Sequence, residues 1–230
     1  MITVDGPSGT GKGTIAGHLA HWLGWNFLDS GALYRVLALA ALRNSVHVED
    51  EEALAVLARR LDLVFQNPGS GREMIVILEG GDVSQDIRTE TCGNLASRLA
   101  AMPGVRAALL DRQRSFRLAP GLVADGRDMG TVVFPDAVVK IYLTASPEER
   151  ARRRHKQLKG KGFDVNLPQL SVEIAERDAR DSQRTVSPLR PADDAAVIDT
   201  TNLALTEVIR RVSMLVSQRL PGCPGDSQAT

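Results

Sequence analysis

Aromatic residues make up only 4% of the chain, with two tryptophans and two tyrosines. That is too little ring surface for a base-stacking platform on single-stranded nucleic acid. An excess of either charge is also missing: 28 lysines and arginines meet 28 aspartates and glutamates, for a formal net charge of +0. No global basic field points to nucleic acid as a partner. Cysteine is scarce, and Cys92 and Cys223 form no C-x-x-C pair. This spacing gives neither a disulfide framework nor a zinc site and suits free thiols in a reducing, cytoplasmic setting. No apolar run approaches the ~20 residues of a membrane-spanning helix. Met1 leads directly into an apolar strand, which leaves no room for a signal peptide. What is present is a chain of 230 residues, 43% of them hydrophobic, enough for an α/β domain with insertions or two small domains.

The stretch that organises the rest is Gly6-Pro7-Ser8-Gly9-Thr10-Gly11-Lys12-Gly13-Thr14. It follows the apolar Ile2-Thr3-Val4 and opens an amphipathic run over 12–23. Strand, glycine loop and helix in that order fit the phosphate-binding P-loop, G-x-x-x-x-G-K-[ST]. Glycines let backbone N–H groups crowd a phosphate, and the helix N-terminus adds positive dipole there. Lys12 is the residue to reach the β- and γ-phosphates. In the common pattern a Ser or Thr directly follows the lysine and holds Mg²⁺; here Gly13 intervenes before Thr14. A metal at this site would then be held largely by phosphates and water, with Thr14 acting at most through water.

Further along, the pattern predicts a strand over 26–29, a helix over 32–42 and a second helix over 50–61. Residues 63–65 and 74–78 read as a β-hairpin around 67–71. Helices are expected over 91–101 and 105–116, separated by Pro103-Gly104. Strands follow over 122–125 and 138–143, then a helix from Pro147 and another over 171–183. A last strand over 197–199 and a closing helix over 205–220 complete the chain. Unalternating apolar strands suit a parallel sheet covered on both faces. The βα alternation gives a doubly wound, three-layer α/β fold with its ligand at the carboxyl ends of the strands. Residues 221–230 are Gly, Pro and small polar types, and are expected to be disordered.

Four polar clusters fall near those ends. In Asp29-Ser30-Gly31-Ala32-Leu33-Tyr34-Arg35 an arginine one turn into a helix can fork onto phosphate, although for this cluster alone a capped helix with a solvated arginine is the favoured reading, because caps of this kind are common. Asp125 ends an apolar strand, in the place of a carboxylate that holds Mg²⁺ or its waters, and Arg127 and Asp128 follow in a glycine-rich turn. Arg150 and Arg154 share a helix face in a basic run and can close as a lid over the donor phosphates, with Gly160 and Gly162 as bending points. A solvated charged face is the alternative. Arg177, Asp181 and Arg184 are spaced i, i+4, i+7 and share one face; ion pairs on an exposed helix are the alternative here. His18, His21 and His47 read as surface or structural histidines.

Taken together, the P-loop, D-S-G-A-L-Y-R from Asp29, D-G-R-D-M-G-T-V-V-F-P-D-A from Asp125, E-R-D-A-R-D-S-Q-R from Glu176 and P-L-R-P-A-D-D-A from Pro188 resemble the bacterial cytidylate kinases. These are nucleoside monophosphate kinases that phosphorylate CMP and dCMP. The resemblance implies a core of 1–30, 102–149 and 178–220. It also implies an inserted acceptor-binding region over 31–101 that carries the hairpin, and a short lid over 150–177. By the same resemblance ATP is the phosphoryl donor, Mg²⁺ its metal, and the protein a monomer. Residues 6–14 would hold the ATP phosphates. Arg35, Arg127 and Arg184 would hold the CMP phosphate and the moving phosphoryl group. Ser97, Arg106 and Asp128 would read cytosine, Arg177 and Asp181 would hold the ribose, and Ser30 and Tyr34 would line the acceptor pocket. A nucleotide-switch GTPase would need an N-K-x-D segment, which is absent. The nearest enzyme alternative is a kinase for UMP or AMP.

Overall fold

The computed structural model describes residues 1–66, 75–160, 162 and 164–220. Two compact units emerge. One comprises Met1–Leu28 together with the chain from Phe116 onward, and the other Asp29–Ser115.

The first unit is built on a five-stranded sheet. Its strands are β1 (Ile2–Asp5), β2 (Asn26–Asp29), β6 (Leu122–Gly126), β7 (Val139–Thr144) and β8 (Ala196–Asp199), in the order β2-β6-β1-β7-β8. The pairs β1–β6, β1–β7 and β7–β8 are parallel. Every residue of β1 and of β6 is buried, as apolar strands covered on both faces must be. Helices α1 (Lys12–Leu23) and α8 (Leu205–Arg219) supply Ile15, Leu19, Val208, Val212 and Val216 to the core around Ile2, Val4, Val139 and Ile141. The three valines of α8 recur every fourth residue, the spacing that lays one helix stripe on a sheet. Two further helices, α6 (Pro147–Gly160) and α7 (Leu167–Ser182), pack on each other. Because β1 lies between β6 and β7, the chain reverses direction across the sheet at β1. The carboxyl ends there are where an open α/β sheet holds a ligand.

The second unit holds α2 (Ser30–Arg43), α3 (Glu51–Arg60), α4 (Glu90–Leu99), α5 (Pro103–Ser115) and a small antiparallel sheet, with a 3₁₀ turn at Asp86–Arg88. That sheet orders β3 (Leu63–Gln66), β4 (Ile75–Leu78) and β5 (Gly81–Asp82). The expected hairpin is present, with Leu63 opposite Leu78 and Phe65 opposite Val76; its turn lies outside the described residues. β5 was not expected, being only Gly81-Asp82 with no apolar signal. Leu33, Leu37, Leu54, Leu78, Leu99 and Leu109 fill the core. Asp50 caps α3, accepting from the Ala53 N–H at 2.9 Å.

Three expectations need correction. Pro103-Gly104 does not separate helices but begins α5, since a first-turn proline gives up an N–H that would be unbonded anyway. Glu51 accepts the next N–H, that of Gly104. Helix α7 starts at Leu167, not at Ser171, with Asn166 as its cap, and Pro168 is tolerated in that first turn. Finally, α5 packs on α3 within the Asp29–Ser115 unit, so the chain from 102 to 115 does not belong with the sheet.

Candidate active site

The glycine loop closes over the end of β1 because three glycines take backbone angles that other residues avoid. Gly6, Gly9 and Gly11 have φ of 146°, 81° and 89°. At Gly6 a Cβ would lie 2.1 Å from the Leu143 carbonyl oxygen, so only glycine fits. Thr10 Oγ1 donates to the Pro7 carbonyl at 3.1 Å, and Lys12 Nζ donates to the same oxygen at 3.3 Å. Lys12 Nζ also lies 4.0 Å from Asp125 Oδ1. The first turn of α1 carries no acidic side chain, so its positive end stays available to an anion.

Asp125 explains the departure at Gly13. A Cβ on residue 13 would come within 3.1 Å of Asp125 Oδ2. The serine or threonine of the common pattern would therefore crowd the carboxylate. Gly13 instead sits beside the Asp125 carboxylate, which lies 4.0 Å from Lys12 Nζ, while Thr14 is exposed. No group of three acidic, histidine or cysteine side chains among the described residues is placed to hold a metal ion.

Asp5, the residue just before the loop, is one that sequence reasoning missed. It is buried at the end of β1, and its two oxygens accept the Met129 and Gly130 N–H groups, both at 2.8 Å. These belong to the π-helical turn Met129–Val133 that follows Arg127 and Asp128. A carboxylate directly after Ile2-Thr3-Val4, at the end of a strand and just before the glycine loop, was the available signal. Burial pushes Asp5 up to about 7, against the pull of the Gly130 and Met129 N–H groups; nearby Asp128 adds to the rise and Lys12 opposes it. A carboxyl raised on folding holds its proton more tightly in the folded state, so its contribution to stability is lost as pH rises from about 4 to about 7. Asp5→Asn removes that titration. Denaturant midpoints of both proteins between pH 4.5 and 8 should diverge in favour of the variant as pH rises. A difference that stays constant with pH would contradict this.

Beside that turn lies a buried ion cluster. Asp181 on α7 is 1% exposed. Its Oδ2 accepts from Arg127 Nε at 2.8 Å, and its Oδ1 accepts from Arg184 Nη2. Burial alone would raise the Asp181 pKa, but Arg127, Arg184 and Arg177 together hold the carboxyl below the usual range. Arg184 is not on the helix as expected: α7 ends at Ser182 with Gln183 as its C-cap. It meets Asp181 from the following turn.

The lid arginines differ from expectation. Arg150 is buried, and its Nη2 pairs with Asp178 Oδ2 at 2.5 Å. Its Nε donates to the Ala145 carbonyl at 3.0 Å and its Nη1 to the Ser8 carbonyl at 3.2 Å. A guanidinium held on three sides is not poised as a closing clamp. Arg154 is less buried and donates to Gln157 at 2.9 Å. Arg153, overlooked in the sequence, bonds Thr200 and the Thr10 carbonyl.

In the Asp29–Ser115 unit, Asp29 caps α2 by accepting the Ala32 N–H at 2.9 Å. This starts the helix that carries Ser30, Tyr34 and Arg35, of which Ser30 and Tyr34 are buried. Arg35 Nη1 donates to the Ile87 carbonyl at 2.7 Å and to that of Thr89 at 3.2 Å. Its guanidinium lies against α4 at Gly93, where a Cβ would come within 2.6 Å of Nη2. Ser97 on α4 and Arg106 on α5 are both buried, and Arg106 Nη1 donates to the Ala100 carbonyl at 3.2 Å. Buried polar groups of this kind are held for recognition or for structure, since burial without partners is costly.

Comparison with known proteins bears on the whole of this arrangement. A family model described as cytidylate kinase matches residues 2–218. A protein named cytidylate kinase from Stutzerimonas stutzeri (strain A1501) is 61% identical over 219 residues, covering 95% of this chain and 96% of its own length. Proteins of the same name from Shewanella denitrificans and Shewanella frigidimarina are each 59% identical; they cover 92% and 96% of this chain, and 93% and 96% of their own lengths. The matched range includes the loop at Gly6, the turn at Asp125 and the cluster at Asp181, and it shows that the chain belongs to the cytidylate kinase family.

Proposed function

We infer that the enzyme transfers the γ-phosphoryl group of ATP to CMP or dCMP, giving CDP or dCDP. The observation that carries this reading is the phosphate loop on β1, with Lys12 folded over it and the Arg127–Asp181–Arg184 cluster held by the same unit. Two polyanions must be brought together, and that demands fixed cationic donors more than covalent chemistry. The residues of the loop from Gly6 to Thr14 bind the donor phosphates, and Lys12 neutralises charge on the moving group. Arg35, Arg127 and Arg184 take the acceptor phosphate, with Asp181 fixing the orientation of the last two. The acceptor is already an oxyanion, so no general base is assigned.

The Asp125 carboxylate, beside Gly13 and 4.0 Å from Lys12 Nζ, suits a magnesium ion held mainly by phosphate oxygens and water. When bound, that ion neutralises charge on the phosphates. Ser30 and Tyr34 line the acceptor pocket, and Arg177 supports the ribose end. By the family resemblance the enzyme is read as a cytoplasmic monomer, and its balanced net charge favours small molecules over nucleic acid as its partners; no helix among the described residues is long and apolar enough to cross a membrane.

Base selection rests on Asp128, Arg106 and Ser97. An ionised Asp128 only accepts and suits the cytosine N4 amine, whereas Arg106 only donates and suits N3 and O2. Uracil reverses the first two edges and would leave buried charges unmatched. Product chromatography with ATP and a panel of CMP, dCMP, UMP and AMP tests the reading, with CMP and dCMP expected to be the preferred acceptors. In Asp128→Ala the CMP-to-UMP preference in kcat/KM should shrink by about tenfold or more, the worth of an unmet polar group. An unchanged ratio would move base reading elsewhere.

A further inference from the structure

Two arginines of the basic helix α6 donate to backbone carbonyls of the glycine loop. Arg150 Nη1 donates to the Ser8 carbonyl at 3.2 Å, and Arg153 Nη1 to the Thr10 carbonyl at 3.4 Å. Thr200 Oγ1 lies 3.4 Å from the Thr10 carbonyl and 3.0 Å from that of Thr144, its one proton shared between the two. The Pro7 carbonyl is already taken by Thr10 and Lys12, and that of Gly11 by the Ile15 N–H at 3.1 Å. The carbonyls of Pro7, Ser8, Thr10 and Gly11 are thus each bound to a donor of the protein.

The consequence follows from peptide geometry. In a trans peptide the C=O of one residue and the N–H of the next point in opposite directions. Tying back the carbonyls of Pro7, Ser8 and Thr10 turns the N–H groups of Ser8, Gly9 and Gly11 the other way. A carbonyl swung into the same space would meet the phosphate oxygens with like partial charge. We propose that Arg150 and Arg153 are positioning residues of the ATP phosphate cradle, holding the Ser8 and Thr10 peptides so that their N–H sides face the phosphates.

Two further observations fix Arg150 in this role. Asp178 binds its Nη2 at 2.5 Å and the Ala145 carbonyl accepts its Nε at 3.0 Å, so that the fork has one orientation. Helix α6 also sits on the loop where Gly9 lacks a side chain: a Cβ there would be 2.9 Å from Arg150 Cβ. Arg153 is held likewise, with Nε on Glu149 at 2.9 Å and Nη2 on the Thr200 carbonyl at 2.5 Å.

The proposal rests on the loop being the donor-phosphate site, and the test separates the two. ADP binding is measured by titration calorimetry, and KM for ATP and for CMP by steady-state assay, in the wild type, Arg150→Lys, Arg153→Met and Asp178→Asn. Lysine keeps the charge but cannot fork between three acceptors. Asp178 touches Arg150 and not the loop. Each variant should weaken ADP by about tenfold, the lower range for a hydrogen bond to a charged group. KM for ATP should rise with it, well beyond any change in KM for CMP; general destabilisation would not divide the two substrates in this way. A wild type that does not bind ADP would overturn the reading of the loop itself. A wild type that binds ADP, with Asp178→Asn binding equally well or better, would show that Arg150 leaves its pocket for the phosphates and would overturn the brace.

Discussion

Asp181→Ala should cost the protein about 3–5 kcal/mol of folding stability, because it strands buried arginines without their shared anion. Both Arg127 and Arg184 bond this carboxylate, and their side chains are 14% and 4% exposed. Removing one partner from a buried pair leaves the desolvation penalty of the others uncompensated. The loss should appear as a lower denaturant midpoint. Activity should fall toward CMP and dCMP alike, since what is lost is the orientation of two phosphate-binding forks. The family resemblance implied a ribose contact for Arg177 and Asp181, and hence a larger loss with CMP, the acceptor that has a 2′-hydroxyl. Both Asp181 oxygens, however, are engaged by arginines. Asp181→Asn, which keeps the volume but not the charge, should retain the fold well enough for comparison of the two acceptors. A selective loss with CMP in that variant would restore the ribose contact as the main role.

Lys12→Ala should lower turnover by about a hundredfold or more, as removal of a preorganised charge-stabilising donor does. Lys12 is the only lysine of the loop, and its ammonium sits on the Pro7 carbonyl, 4.0 Å from Asp125. No other cationic side chain of the loop can replace it. Melting temperature should change little, because Lys12 is only partly buried and the loop keeps the Thr10–Pro7 bond and the Arg150–Ser8 bond. A folded variant with near-normal turnover would remove the loop from the chemistry.

The tail beyond Leu220, expected from its composition to be disordered, lies outside the described residues. Its Gly, Pro and polar content offers little apolar surface to bury.

What the sequence by itself determined is whatever depends on neighbours within a turn or two. The glycine spacing of the loop, the capped start of α2 and the apolar strands were all legible, because each is fixed by local backbone geometry and period. Positions of chemistry-bearing residues at the carboxyl ends of strands followed from the alternation of elements. Partnership was another matter. Asp5 meets Met129 across 124 residues, Arg127 meets Asp181 across 54, and Arg150 meets Ser8 across 142. Those pairs exist because β6 lies beside β1 and because α6 sits on the loop at Gly9. Without strand order, Arg150 and Arg154 are equivalent members of one helix face. Tertiary packing gives one of them a buried pocket lined by Asp178 and the Ala145 carbonyl, and leaves the other beside Gln157. Charge and spacing specify what a side chain can bind, but burial and the partner brought to it by the fold decide what it does bind.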